Sequence, residues 1–325
     1  MHESPGRSVD NEVSPHNEVS LHRGATTLVV ARRGAAVQVL RVGDRDVFQP
    51  AVPGETGAFT GCVLTPWPNR IADGRYRFAG VEYQLPINEP ETGSALHGLG
   101  WDVDWRVLDV GSDDKTEYVD LRLDATPVDG YPFHVVTTVR YTLVDDGIRV
   151  DALAENVGRQ PCPYALGFHP YLSAGRTPTG GEASVDDCTL RLGVRRRFLT
   201  DARQIPVGDV AADGWLDGYP LAGRRLDDGF FDVVVENDGL VHARLSRPDG
   251  FVVDLWAEPV FAFWQVYTGD KRAAAYARRG IAVEPMTAAP NAFNNHQGLL
   301  ILAPGESFSA AWGVTLRPAD ADGWA

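Results

Sequence analysis

The feature that most constrains this chain is its punctuation. Short runs of alternating apolar and polar residues recur along most of its length, and each is soon cut off by a glycine-containing turn. A period of two sends successive side chains to opposite faces, so each run reads as a strand with one wet face. Residues 135–144 and 148–154 meet at Asp145-Asp146-Gly147, and Asp-Gly between alternating runs is a strong hairpin signal. Asp238-Gly239 and Asp249-Gly250 do the same around residues 241–245. Arg33-Gly34 splits 26–31 from 36–42, and Ala79-Gly80 splits 76–78 from 81–83. Residues 105–110, 118–123, 261–267, 299–302 and 310–316 add further strands. Only 271–279 is helix-like, with room for a turn or two. Many strands with almost no helix predict an all-β chain of antiparallel sheets, built as a large sandwich or a barrel.

No shift in composition divides the chain, so one domain is expected from about residue 24 to 318, followed by a short tail, 319–325. Residues 1–23 hold a near-duplication, Asn11-Glu12-Val13-Ser14-Pro15-His16 and Asn17-Glu18-Val19-Ser20-Leu21-His22. With little apolar surface to bury, this leader is expected to be disordered. It has no hydrophobic h-region, and no apolar run in the chain approaches the ~18 residues of a membrane span, so a cytoplasmic protein with no membrane partner is expected. The net charge of -14 argues against a nucleic-acid partner, which needs a basic face. It also weighs against highly anionic substrates, although a local arginine cluster would override the mean. Cys62, Cys162 and Cys188 are odd in number and widely spaced, which fits buried or free thiols and neither a disulfide framework nor a zinc site.

The stretch 59–101 carries the chemistry most densely. Prolines on both sides of Trp67 stiffen a loop that ends in Asn69 and Arg70, and His97 stands beside Gly98 and Gly100, where another backbone or a ligand can come close. Of the other histidines, His134 and His242 fall among strands and read as structural, and His296 follows Asn294-Asn295 in a polar loop. His169 lies in Gly167-Phe168-His169-Pro170-Tyr171. Spacing leaves His97 and His169 open between a site role and that of a solvated loop residue. Glu284 ends the apolar run Ile281-Ala282-Val283, where partial desolvation would raise its pKa and suit it to general base work. An edge-strand glutamate facing water fits the spacing equally well. Asp227 and Asp228 form an acidic turn before Gly229-Phe230. A histidine and a glutamate brought together would supply an acid and a base.

These pieces, in this order, resemble the aldose 1-epimerases, also called galactose mutarotases, over nearly everything after the leader. The matching residues are Pro68-Asn69-Arg70-Ile71, Asp73-Gly74-Arg75-Tyr76-Arg77-Phe78, Leu96-His97-Gly98, the His169 segment, Asp227 before Gly229-Phe230, Gln265-Val266-Tyr267-Thr268, and Val283-Glu284-Pro285 leading to Pro290-Asn291-Ala292. The resemblance implies a β-supersandwich with a sugar in an open cleft, a free hexose or pentose as substrate, a monomer or homodimer, and neither metal nor cofactor. It implies that Glu284 takes the proton of the C1 hydroxyl and His169 protonates the ring oxygen. Arg70, His97 and Asp227 would hold the sugar, with Asn69 and Gln265 beside them and Trp67 or Trp101 along its apolar face. The usual run around the histidine is replaced here by Gly167-Phe168-His169-Pro170-Tyr171-Leu172, and Pro285-Met286-Thr287 follows Glu284, so the cleft is expected to be reshaped.

Three rival readings go with this one. A hexose-6-phosphate 1-epimerase would need cations at the cleft, for which Arg75, Arg77, Lys271, Arg272 and Arg278 are the candidates. A non-catalytic carbohydrate-binding module would be free to lose His169 and Glu284, and both are present. A metal site of His97, His169 and Glu284 would have the two-His-one-carboxylate composition.

Overall fold

Burial follows the alternation written in the sequence. Along Thr26–Ala31 the side chains run buried, half-buried, buried to the end, as β-branched residues on a pleated surface with one covered face should. The structure is a computed structural model that describes residues 17–52, 59–112 and 116–319.

Among the described residues the largest sheet has nine strands. Their spatial order is Arg106–Ser112, Glu117–Ala125, Val135–Val144, Gly147–Asn156, Ser307–Pro318, Phe251–Ala257, Val241–Ser246, Thr189–Leu192 and Tyr219–Pro220. A second sheet runs Pro206–Ala211, Val194–Thr200, Asp227–Val233, Phe263–Tyr267, Gly280–Met286, Gly167–Phe168 and Val63–Leu64, with Tyr171–Ser173 also paired to Gly280–Met286. Every ladder in the two sheets is antiparallel. One cluster of buried side chains, from Val19 to Leu316, fills the space the sheets enclose, and Phe168 of the second sheet meets Trp312 of the first at 5.1 Å. This is the expected antiparallel β-supersandwich. No helix among the described residues is long and apolar enough to cross a membrane.

Three local expectations need correction. The leader does not extend to residue 23, because Glu18–Arg23 is a strand paired antiparallel with Thr26–Ala31. Its two inward residues, Val19 and Leu21, are buried, and the neighbouring strand supplies the backbone partners that so short a segment lacks alone. Residues 1–16, with His2 and His16, and residues 320–325 of the tail lie outside the described residues. The second correction concerns Gly147, which pairs with Val144 rather than sitting in the turn; Asp145-Asp146 is the two-residue loop. A Cβ there would stand 1.8 Å from the Val314 carbonyl oxygen, so glycine is required by a close backbone approach in mid-sheet. Finally, 271–279 is a series of turns that includes an i to i+4 bond, Ala277 N to Ala273 O at 2.9 Å, and the four-residue helix is Ala292–Asn295 instead. All three cysteines are free and buried, and burial pushes each thiol up to about 12, which leaves them inert.

His242 has the structural role expected of it. Its ring is held between Asp254 (2.8 Å) and Asp238 (2.9 Å), and Asp254 in turn accepts from Arg244. Burial alone would push His242 down; the two carboxylates outweigh it, against the opposing Arg244 charge, and hold the imidazolium above its ordinary 6.5. A raised folded-state pKa gives stability that is full below the unfolded value and lost as pH rises through the folded one. Urea denaturation is therefore expected to show a fall in stability starting above about pH 6.5. His242→Gln should lose that component of the pH dependence, and an unchanged profile would remove His242 as its source.

Candidate active site

Three neighbouring strands of the second sheet set the floor of a cleft. Gln265 lies directly opposite Glu284 in one ladder, and Gly229 directly opposite Gln265 in the next. Cross-strand partners share a face, as do residues two apart in a strand, so Asp227, Gln265 and Glu284 project to the same side. Asp228 therefore points away from the cleft, where Arg197 donates to it at 3.2 Å. Asp227 is thus the member of the acidic pair that faces a ligand.

Glu284 does not sit on an edge strand. All seven residues of Gly280–Met286 are buried, and the strand is flanked on both sides. Pro285 has no N–H to give the ladder, and the facing chain breaks between Gly167–Phe168 and Tyr171–Ser173, at His169-Pro170. That break is pinned by His169 N to Cys62 O (3.1 Å) and Gly61 N to His169 O (2.9 Å). It brings His169 Nε2 to 3.3 Å from Glu284 Oε1. The two residues are 5% and 2% exposed, and among the described residues His169 Nδ1 and Glu284 Oε2 have no hydrogen-bond partner. Burial, seconded by the Arg272 charge, pushes His169 down to about 3. Burial, reinforced by Asp227 and partly opposed by Arg70, pushes Glu284 well above the usual carboxylate range.

The stretch 59–101 supplies the opposite wall. Asn69 and His97 both adopt φ near +60°, which favours glycine and which asparagine tolerates better than most residues. They hold each other there: His97 N donates to Asn69 O at 3.0 Å, and Asn69 N donates to His97 Nδ1 at 3.1 Å. Gly98 next door lets the Thr65 carbonyl approach to where a Cβ would be 2.2 Å away. The glycine therefore serves backbone packing, and Leu99 N and Gly100 N donate to that same carbonyl. The Asn69 side chain donates to Gln265 Oε1 (3.3 Å), Gln265 Nε2 to Asp227 Oδ1 (2.8 Å), and Gln204 Nε2 to Asp227 Oδ2 (3.1 Å). One polar chain thus links the loop wall to the sheet floor.

The accepting role of His97 Nδ1 fixes its tautomer: a backbone N–H can only donate, so the ring proton is on Nε2. Burial, with the nearby His169 and Arg70, keeps this imidazole neutral. His97, His169 and Glu284 offer atoms within 4.8 Å of one another, the spacing of a metal cluster. The donor set does not fit one. A ligating histidine gives its lone pair to the ion and its N–H to an acceptor, whereas His97 spends its lone pair on Asn69 and presents an N–H.

All seven residues expected at the site, Glu284, His169, Arg70, His97, Asp227, Asn69 and Gln265, line one cleft of about 200 Å³. That is smaller than the ~300–1,000 Å³ typical of drug-sized ligands and suits a small polar molecule. The tryptophans do not line it. Trp67 is buried in the core, its Nε1 donating to Ala95 O, and Trp101 packs behind Phe59 at 4.8 Å. Phe59, Tyr171 and Tyr267 provide the aromatic surface instead, with Phe59 edge-on to His97 at 4.5 Å.

The sequence reading missed Glu89 entirely. It accepts from Arg70 Nε (2.6 Å) and Nη2 (2.7 Å), which fixes the plane of the guanidinium, and Thr92 Oγ1 also donates to it. Burial works against both charges, but their hydrogen bonds outweigh it, raising Arg70 and lowering Glu89. Nothing in Asn88-Glu89-Pro90 distinguishes this residue from an ordinary loop acid. Of the five cations considered for a phosphate, Lys271 and Arg272 reach the cleft. Arg75 pairs with Gln84, Arg77 with the Gly80 carbonyl, and Arg278 with Asp186 and Asp270.

Glu89→Ala should lower stability by about 1–3 kcal/mol, the cost of stranding a charged donor. Urea denaturation tests this, and Glu89→Gln, which keeps an acceptor, should lose less. Equal stability of all three proteins would show that Arg70 does not need the pair.

A sequence model of the family described as aldose 1-epimerase matches residues 17–314. The uncharacterized protein YihR of Escherichia coli K12 is 32% identical over 309 residues, covering 93% of this chain and 94% of its own. Human galactose mutarotase is 30% identical over 176 residues, 52% of this chain and 45% of its own. Among solved structures, a galactose mutarotase-like protein of Clostridium acetobutylicum superposes with a TM-score of 0.82 at 17% identity, covering 94% of this chain and 96% of that one. The galactose 1-epimerase of Lactobacillus acidophilus gives 0.77 at 17%, covering 93% and 94%. At these identities the structural likeness speaks for the fold.

Proposed function

Because the chain belongs to the aldose 1-epimerase family, we propose that it interconverts the α and β anomers of an aldose, with Glu284 and His169 as the proton-transfer pair. The observation that carries this reading is the 3.3 Å approach of the two buried side chains inside a polar-lined cleft.

Ring opening needs one proton removed from the C1 hydroxyl and another delivered to the ring oxygen O5, the two oxygens bonded to the same carbon. Glu284 takes the proton of the C1 hydroxyl as the C1–O5 bond breaks, and His169 gives a proton to O5. The open aldehyde turns about C1–C2. On reclosure O5 attacks the other face of C1, His169 recovers the O5 proton, and Glu284 returns its proton to O1. No atom is gained or lost, and the pair ends as it began.

Before the reaction the pair needs Glu284 charged and His169 protonated. Burial favours the neutral arrangement, with the proton on Glu284. Both arrangements hold the same number of protons, so the active one forms by a single transfer across the gap, without exchange with solvent. Sugar hydroxyls and the fixed Arg70 and His97 donors then stabilise the separated charges. Asp227 and Gln265 accept from and donate to the remaining hydroxyls.

Anomer exchange followed by polarimetry or NMR tests this. Glu284→Gln and His169→Asn should each cost roughly 10²–10⁴-fold in kcat. If folded variants keep the wild-type rate, the assignment is wrong. The singly protonated pair exists between the depressed pKa of His169, about 3, and the raised one of Glu284. The pH profile of kcat/KM should therefore be bell-shaped. Activity falls on the acid side as a second proton removes the base, and on the alkaline side as loss of the shared proton removes the acid.

A further inference from the structure

Two of the groups assigned to hold the sugar are themselves supported from one hairpin tip. The strands Val194–Thr200 and Pro206–Ala211 are joined by residues 201–205, and the adjacent side chains Arg203 and Gln204 reach different walls of the cleft. Arg203 Nε donates to the Thr92 carbonyl at 2.6 Å, and its Nη2 donates to the Gly93 carbonyl (3.1 Å) and to Asp73 Oδ1 (2.9 Å). Thr92 and Gly93 belong to the turn that Glu89 and Ser94 close by exchanging backbone bonds, and Glu89 fixes the Arg70 guanidinium. Gln204 Nε2 donates to Asp227 Oδ2 at 3.1 Å, on the sheet floor.

The tip is built to keep this pose. Asp201 Oδ1 accepts from Arg203 N (2.9 Å) and Ile205 N (3.0 Å), and the Asp201 backbone bonds Gln204 N and Ile205 O. An aspartate that bonds the backbone two residues on is a standard way to stiffen a short loop. Gln204 itself has φ +65°, a conformation unfavourable to any residue with a Cβ. Glycine would relieve the strain but would bring no amide to Asp227. Strain of this kind persists where the surrounding structure imposes it and a function uses it.

A carboxylate free to turn about its bond to Cβ presents no fixed pair of acceptors. Gln265 on Oδ1 and Gln204 on Oδ2 set the plane of Asp227 and leave each oxygen room to accept a hydroxyl. Given that the cleft holds an aldose, the reading proposed above, we propose that Gln204 is a positioning residue that sets substrate affinity and hydroxyl selectivity through Asp227, with Arg203 anchoring it to the opposite wall. It takes no part in the proton transfers. Asp227 holds the sugar alike before and during ring opening, so loss of the Gln204 amide weakens binding and spares the chemical step.

The test is anomer exchange by NMR on glucose or galactose, whichever wild type exchanges faster, corrected for the uncatalysed rate. Gln204→Leu should raise KM roughly tenfold, the worth of one hydrogen bond to a charged group, with kcat within about twofold of wild type. Gln204→Glu keeps the shape but turns an acceptor toward Asp227, and should raise KM further. Gln204→Lys restores a donor and should return KM toward wild type. Arg203→Ala, which unfastens the tip, should also raise KM. The 2-, 3-, 4- and 6-deoxy analogues supply the second readout: removing the hydroxyl that Asp227 holds should cost wild type more in kcat/KM than it costs Gln204→Leu. Gln204 is only half-buried, and urea denaturation confirms that each variant is folded. An unchanged KM in Gln204→Leu overturns this inference and leaves the acid–base pair standing. So does an equal effect of Leu, Glu and Lys, which would make the residue a spacer, and so do additive costs for all four analogues. Exchange of neither sugar by wild type overturns the reading on which the inference rests, and the inference with it.

Discussion

The site depends first on a register. Gln265 stands opposite Glu284 and Gly229 opposite Gln265, and through those two pairings three side chains from distant parts of the chain share one face. A slip of one residue in either ladder would turn its contributors into the core. The register is held by burial: Val266, Val283 and Phe230, which alternate with the site residues, are fully buried on the opposite face. Core packing and site geometry are therefore one constraint, and the apolar residues between the polar ones set the accuracy of the cleft.

The same burial sets the proton chemistry. A carboxylate and an imidazole near water would each sit close to its ordinary pKa and would not share a proton. Buried in a fully covered strand and a pinned strand break, Glu284 is pushed up and His169 down, so the pair crosses over. Their contact cannot be read as a stabilising salt bridge, since desolvation opposes the charged form on both sides. Among the described residues His169 Nδ1 and Glu284 Oε2 have no partner, which points the same way. Unsatisfied polar atoms cost stability, and a fold retains them where a ligand or a reaction uses them.

Much of this was legible in the sequence, for identifiable reasons. Alternation and turn residues announced the sheets because period two and backbone permissiveness act locally. The seven site residues were reached through the family resemblance, and residue chemistry alone left His97, His169 and Glu284 each open to a blander reading. What stayed hidden depended on contacts between distant segments. Glu89 matters only because Arg70 lies across from it, and Phe59 lines the cleft only because Trp101 backs it. Trp67 was misplaced because a tryptophan between prolines looks the same whether its ring faces a ligand or, as here, the core beside Tyr131 and Phe293. Strand Glu18–Arg23 was missed because its order comes from the neighbouring strand.

The net charge shows where a whole-chain property stops being informative. At -14 the mean field repels anions at long range. Screening limits that field to roughly 8–10 Å in physiological salt. Inside a narrow cleft a ligand responds to the few charges on its walls, which interact through protein rather than bulk water. There Glu89 is engaged with Arg70 and Asp227 with Gln265, and Lys271 and Arg272 line the same cleft. The sequence named both among five candidate cations, and only the fold of the 268–279 segment against Tyr267 and Gln49 singled them out.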